Sequence, residues 1–260
     1  MIGKFHHHSG FQSRHLEHDH DLIVYFPPGY DASDERFPVL YLQDGQNLFD
    51  PATAFCGQDW GAGKTTDSLI FRGVIQPLIL VGIYNAGLAR VDEYTEYRDR
   101  RSGHGGKAPQ YACMIVEELK PFIDVTHRTL PDRINTGIAG SSLGGLLSLA
   151  VGLWYPDIIG KIGVMSPSVW WGHRSILQTV RKAVVDQRPA RLWLDTGTQE
   201  GGHPETTTRD ARLLRDALIR KGWREGVDLS YMEAEGAGHN ERAWGERFGP
   251  MLQFLFPKNR

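Results

Sequence analysis

The sequence predicts an α/β fold: a mostly parallel, eight-stranded sheet with helices on both faces. Two observations carry this expectation. Strand-like and helix-like stretches alternate along the whole chain, the pattern of crossover units that cover both faces of a sheet. Several of the strand-like stretches are apolar almost without interruption, as in Pro77-Leu78-Ile79-Leu80-Val81-Gly82-Ile83. Strands buried on both sides read this way. No linker, internal repeat or low-complexity tract breaks the alternation, so one domain is expected over residues 1–260.

In chain order, strands are expected at residues 3–8, 20–26, 38–43 and 77–84, with a helix at 65–72 ahead of the fourth. Residues 85–109, rich in Gly, Arg and Tyr, read as a long irregular stretch. A loop of that length in a compact domain usually carries function. A helix follows at 110–125, and Pro121 is expected to end or kink it. The fifth strand, at 134–139, leads into a helix at 143–154 that stops ahead of Pro156. Strands at 161–165, 191–195 and 228–233 then alternate with helices at 175–185, 207–221 and 241–256.

Composition narrows the function classes. The 260 residues carry a formal net charge of −2 and are 40% hydrophobic. That allows a sizeable core and lacks the basic surplus of a nucleic-acid binder. No apolar run approaches the length of a membrane span, so neither nucleic acid nor membrane is an expected partner. Met1-Ile2-Gly3-Lys4-Phe5-His6 has no apolar signal core, which makes a cytoplasmic location the simplest expectation. Cys56 and Cys113 cannot build a disulfide framework; they are expected to be reduced, with a single bridge left open.

The chemistry is carried by Gly140-Ser141-Ser142-Leu143-Gly144, between the fifth strand and the helix after it. Gly-x-Ser-x-Gly in that context is a nucleophile elbow. The chain turns sharply and holds the serine at the apex in a strained conformation. The residues two before and two after it then crowd each other. Gly140 and Gly144 meet that demand around Ser142, whereas Ser141 would be flanked by Ala139 and Leu143.

A serine hydroxyl attacks well only when a base takes its proton. Imidazole suits the task because it titrates near neutral pH. Of eleven histidines, His239 is the one on a glycine-rich strand-to-helix loop near the C-terminus, Glu235-Gly236-Ala237-Gly238-His239-Asn240. Its place fits the serine, acid, histidine order of α/β-hydrolases. The acid belongs after the strand at 191–195. Glu200, beyond the strand end, is the first choice; Asp195, at the strand terminus, is the second; Glu205 and Asp210 follow. The carboxylate would hold the imidazole in the useful tautomer and stabilise the imidazolium. Two backbone N–H groups are expected to bind the developing oxyanion. One is that of Leu143, after the nucleophile; the other is that of Gln46, in Gln43-Asp44-Gly45-Gln46-Asn47 after the third strand.

Further segments carry a resemblance. They are Val24-Tyr25-Phe26-Pro27-Pro28-Gly29-Tyr30, Val39-Leu40-Tyr41-Leu42-Gln43-Asp44-Gly45-Gln46-Asn47-Leu48-Phe49, Arg90 with Glu93-Tyr94-Thr95, Ser166-Pro167-Ser168-Val169-Trp170-Trp171, and Gly236-Ala237-Gly238-His239. With the elbow, they make nearly the whole chain resemble the esterase group of α/β-hydrolases that includes enterochelin esterases, feruloyl esterases and S-formylglutathione hydrolases. The resemblance implies the α/β-hydrolase fold, a Ser–His–acid triad, no metal and no cofactor, and a small-molecule ester as substrate. It does not fix which ester, because these relatives cleave different ones. Glutamate at 200 departs from the aspartate that many relatives carry.

Arg90 and Tyr94 on the irregular stretch, and Trp170 and Trp171 after the sixth strand, are candidates for substrate binding. A solvated charge or a structural ion pair for Arg90, and packing for the tryptophans, are the alternatives. The expected activity is hydrolysis of a soluble short-acyl or aryl-acyl ester through an acyl-enzyme, because the short segment after the sixth strand leaves no room for a large apolar lid. An acyltransferase using the same triad, and a non-catalytic ligand-binding domain on the same fold, are the alternatives. Two other motifs lead elsewhere. Gly61-Ala62-Gly63-Lys64-Thr65-Thr66 ends like a phosphate-binding loop, but Gln58 stands where that pattern needs glycine. His6-His7-His8 and His18-Asp19-His20-Asp21 lack the ligand spacing of a structural metal site and read as polar edge-strand residues.

Overall fold

A computed structural model describes residues 2–99, 102–184 and 190–258. The strands are β1 (Lys4–Phe11), β2 (His20–Phe26), β3 (Val39–Gln43), β4 (Ile79–Ile83), β5 (Thr136–Ser141), β6 (Lys161–Met165), β7 (Arg191–Gly197) and β8 (Leu229–Ala234). The helices are α1 (Ala62–Phe71), α2 (Arg90–Tyr94), α3 (Ala108–Cys113), α4 (Lys120–Thr126), α5 (Leu143–Trp154), α6 (Trp171–Arg174), α7 (Ile176–Lys182), α8 (Pro204–Arg220) and α9 (Glu241–Leu255). The strands join in one sheet in the order β1-β2-β4-β3-β5-β6-β7-β8. β2 pairs antiparallel with β1 and β4. Every pairing from β4 through β3 to β8 is parallel.

Successive side chains on a strand point to opposite faces, and here both faces are buried. Val39 and Tyr41 of β3, Val81 of β4 and Leu194 of β7 pack with Leu146 and Leu147 of α5 and Leu214 and Leu218 of α8. Leu40, Leu42, Leu80 and Trp193 face the other way, against Leu69 of α1 and Phe248, Met251 and Leu252 of α9. Two-sided burial explains the uninterrupted apolar runs. No helix among the described residues is long and apolar enough to cross a membrane.

Three of the departures from expectation have a clear local reason. β5 starts at Thr136 because Asp132 caps a 3-10 turn over Arg133–Asn135, accepting from the N–H groups of Ile134 and Asn135. Ile134 is left exposed rather than buried in the strand. Pro121 does not end its helix. A π turn over Met114–Leu119 precedes it, in which the Lys120 N–H bonds to the Ile115 carbonyl. The wider turn sits where proline has no N–H to give, and α4 runs on to Thr126. The stretch 85–109 is not irregular throughout, since α2 lies within it. Glu93 and Tyr94 of α2 are 1% and 0% exposed, so burial holds this short helix where propensity alone would not. Residues 100 and 101 of that stretch, and residue 185 at the end of the helix expected at 175–185, lie outside the described residues. Cys56 is exposed, Cys113 is half-buried, and both are free.

Candidate active site

The turns after β3, β5 and β7 and the loop after β8 meet beyond the ends of the parallel strands. β5 ends at Ser141 and α5 starts at Leu143, leaving Ser142 between them at φ 57° and ψ −123°. That conformation is costly for a residue with a Cβ. The crowding expected of the elbow is present: a Cβ on Gly140 would sit 2.7 Å from the Gly144 carbonyl carbon. The Ser142 N–H donates to the Met165 carbonyl at 3.0 Å, and its own carbonyl accepts from Leu146.

Ser142 Oγ lies 2.9 Å from His239 Nε2, and His239 Nδ1 lies 2.9 Å from Glu200 Oε2. A carboxylate can only accept, so Nδ1 carries the hydrogen and Nε2 is left to accept the serine proton. The Trp244 ring and the imidazole pack nearly perpendicular, with 4.9 Å between centroids. Asn240 caps α9 through the Ala243 N–H at 3.0 Å, which anchors the loop carrying His239. Glu200 is 1% exposed. Its Oε1 accepts from the Gly197 N–H at 2.6 Å and from the Ser166 hydroxyl at 2.5 Å.

A buried network holds Glu200 from behind. Ser166 Oγ accepts from Trp244 Nε1 at 2.9 Å and from Arg247 Nη2 at 2.7 Å. The Arg247 guanidinium reaches Asp195 Oδ1 at 3.1 Å and Glu200 Oε1 at 3.6 Å. Asp195 is fully buried on β7 and accepts from the Ser166 N–H and Trp193 Nε1. Burial pushes its carboxyl up to about 6, against the pull of Arg247. Asp195 thus faces Arg247 and Ser166, and Glu200 is the carboxylate on His239. Of the remaining candidates, Asp210 pairs with Arg174 at 2.8 Å and Glu205 is exposed at the start of α8.

On the other flank, Asp44 takes a left-handed conformation at φ 56°. Arg90 grips it with both arms, Nε to Oδ1 at 2.7 Å and Nη2 to Oδ2 at 2.8 Å. Burial works against the Arg90 charge, but the neighbouring carboxylate raises its pKa above the ordinary arginine value. Asn85 Nδ2 adds a third bond to Asp44, at 2.7 Å. Gln46 follows in the 3-10 turn Gly45–Asn47. Its N–H, like that of Leu143 at the start of α5, lies in a first turn and has no carbonyl of its own helix to bond.

A cavity of about 320 Å³ opens between these flanks, lined by Asp44, Gln46, Asn47, Phe55, Asn85, Arg90, Ser141, Ser142, His239, Glu241 and Trp244. Arg90 therefore both forms the ion pair and borders the cavity. Tyr94 does not line it, which corrects the sequence expectation. Its ring is fully buried beneath the Asp44 turn, its hydroxyl accepts the Asp44 N–H at 3.2 Å, and the Arg90 guanidinium lies over its face. Trp170 and Trp171 are not part of the lining either. Trp171 is buried, with its indole N–H on the Tyr97 carbonyl, and Trp170 is 61% exposed. Sequence reasoning passed over Ser166, Ser168, Asp44, Glu241 and Arg247. Only Arg247 carried a local signal: a charge in line with Trp244, Phe248 and Met251, on the apolar stripe of the last helix.

Sheet order and elbow define an α/β-hydrolase fold, and the family match reported next makes it a carboxylic ester hydrolase. The chain belongs to the family described as "Putative esterase", which matches residues 13–255. It is 28% identical to the uncharacterized protein YbbA of Bacillus subtilis, over 96% of this chain and 98% of that protein. It is 29% identical to the ferri-bacillibactin esterase BesA of the same organism, over 78% of this chain and 73% of that protein. It is 28% identical to an endo-1,4-beta-xylanase/feruloyl esterase of Xylanibacter ruminicola, over 90% of this chain but only 29% of that protein. Among solved structures, the BES protein from Bacillus cereus superposes with a TM-score of 0.78 at 21% identity, over 97% of this chain and 94% of that one. A ferulic acid esterase superposes with a TM-score of 0.76 at 20% identity, over 98% and 99%.

Proposed function

We propose that this chain hydrolyses a small carboxylic ester through an acyl-enzyme on Ser142. His239 is the base and then the acid, Glu200 orients His239, and the N–H groups of Gln46 and Leu143 hold the oxyanion. The chain of two 2.9 Å hydrogen bonds from Ser142 Oγ through His239 to Glu200 carries this reading.

In the first half-reaction, His239 Nε2 takes the Ser142 proton as Oγ bonds to the acyl carbon. The carbonyl oxygen gains negative charge, which the N–H groups of Gln46 and Leu143 stabilise as hydrogen-bond donors. The N-terminus of α5 adds the positive end of its dipole. Collapse of the adduct breaks the bond to the alcohol oxygen, which leaves with the proton from Nε2. Water then repeats the sequence on the acyl-enzyme, and Ser142 regains its proton. Glu200 keeps the Nδ1–H in place and stabilises the imidazolium formed in each half.

The cavity volume lies at the low end for small-ligand sites, and its lining is rich in amides and charged groups. Both features support a soluble, short-acyl or aryl-acyl ester over a long-chain lipid. The feruloyl esterase among the relatives supports an aryl-acyl group.

The deciding experiment is intact-mass detection of fluorophosphonate labelling on wild type and Ser142→Ala. One adduct on wild type and none on the variant is expected, with ester turnover lost in parallel. An adduct on folded Ser142→Ala, or none on wild type, would overturn the assignment.

A further inference from the structure

We propose, resting on the reading of Ser142 as nucleophile, that Ser168 is a second catalytic hydroxyl: it donates a hydrogen bond to Ser142 Oγ and speeds the breakdown of the acyl-enzyme. Ser168 Oγ lies 3.2 Å from Ser142 Oγ. The Ser168 N–H also donates to the Ser142 carbonyl at 3.1 Å, so the two residues are tied at two points. Ser168 is 4% exposed. Among the described residues, Ser142 Oγ is the one hydrogen-bond partner of its hydroxyl.

Proton counting fixes the direction of that bond. His239 Nδ1 gives its hydrogen to Glu200 Oε2, and Nε2 faces Ser142 Oγ as an acceptor. The single Ser142 proton therefore goes to Nε2. The Ser142 oxygen keeps free lone pairs, and the Ser168 hydroxyl, a free rotor, gives its hydrogen to one of them.

The bond acts differently in the two half-reactions. In the resting site, Ser142 Oγ is a hydroxyl oxygen and already a good acceptor, so attack gains little from a donor beside it. In the acyl-enzyme, the same atom is an ester oxygen and a weak acceptor. During deacylation a water oxygen bonds to the acyl carbon and its proton passes to His239 Nε2. The adduct then collapses: the bond from carbon to Ser142 Oγ breaks, its electron pair leaves on Oγ, and Oγ collects the proton from Nε2. Ser168 keeps its own proton throughout. Its hydrogen bond strengthens only as charge builds on the departing oxygen, and only such differential interactions raise a rate. Ser168 therefore serves departure more than attack.

The test is rapid-mixing kinetics with p-nitrophenyl acetate on wild type and Ser168→Ala, with quenched samples weighed as intact protein. Alanine removes one oxygen and leaves the backbone bond to Ser142 in place. Acylation is expected within threefold of wild type. Deacylation should fall about tenfold, the scale of one lost hydrogen bond, and the acetyl adduct should accumulate. A deacylation loss less than threefold larger than the acylation loss overturns the proposal, because a displaced Ser142 would slow both steps alike. Ser142→Ala run beside it separates the two readings. If that variant still forms an acetyl adduct, the nucleophile is misassigned whatever Ser168→Ala does.

Discussion

At the scale of single residues, the site sets two buried carboxylates against one guanidinium. Arg247 reaches both Asp195 and Glu200, and Ser166 contacts both, through its N–H to Asp195 and its hydroxyl to Glu200. Only Glu200 touches His239. Glu200→Gln removes the charge that stabilises the imidazolium and lets an amide compete for the tautomer, so kcat should fall by about 10³-fold. Asp195→Asn keeps an oxygen to accept the Ser166 N–H, and kcat should fall by less than about tenfold. Steady-state kinetics on a chromogenic ester reads both. A larger loss in Asp195→Asn would show that the acid works from β7 and not from the loop beyond it.

At the scale of elements, the turn after β3 depends on α2. Asp44 sits in a left-handed conformation immediately before Gly45 and Gln46, and the bidentate grip of Arg90 holds it there. Arg90→Met leaves a nearly buried carboxylate without its cation, which costs about 3 kcal/mol or more. Adding Asp44→Asn should restore most of that stability, because neither charge then remains to be paired. Activity should stay at least tenfold down in both variants, since the Gln46 N–H loses its anchor. Urea denaturation and initial rates on the two single variants and the double variant close the cycle; additive stability losses would mean the pair is not coupled. Here the sequence was readable in part. Gly140, Ser142 and Gly144 span the β5–α5 junction, and Glu200 and His239 lie on the loops after β7 and β8, segments whose local chemistry marks them. The support behind them was not marked. Tyr94 looks like a loop aromatic until α2 folds over β3 and buries it. Sequence alone does not show that Glu200, and not Asp195, faces His239, or that Arg247 from the last helix lies against both carboxylates. Such pairings join segments dozens of residues apart, and no local pattern encodes them.

At the scale of the whole molecule, a buried pair links the antiparallel edge of the sheet to α2, whose Arg90 borders the site. His20 of β2 gives its Nδ1 hydrogen to the Tyr84 carbonyl at 2.8 Å, and its Nε2 faces Glu93 Oε2 of α2 at 3.5 Å. Both side chains are almost wholly buried, and the Tyr111 ring of α3 closes over His20. Burial raises the Glu93 carboxyl to about 7, with Lys107 pulling it down and Asp92 and Glu17 pushing it up. Burial lowers the pKa of His20. The signs follow from proton counting. An unfolded carboxyl ionises near 4.5, so between there and about 7 the native state holds a proton that the unfolded chain has lost. Stability from Glu93 therefore falls as pH rises through that window. His20 works the opposite way, costing stability as pH falls below 6.5. The two slopes offset each other in the wild type, so a variant is needed to separate them. Glu93→Gln keeps an N–H to face His20 Nε2 and cannot ionise. At pH 8 it should be more stable than wild type by about 2–3 kcal/mol, and at pH 5 the two should agree within about 0.5 kcal/mol. Urea denaturation at both pH values reads the difference. Equal stability at pH 8 would mean that Glu93 ionises in place without cost, and that this edge of the sheet is held to α2 by packing alone.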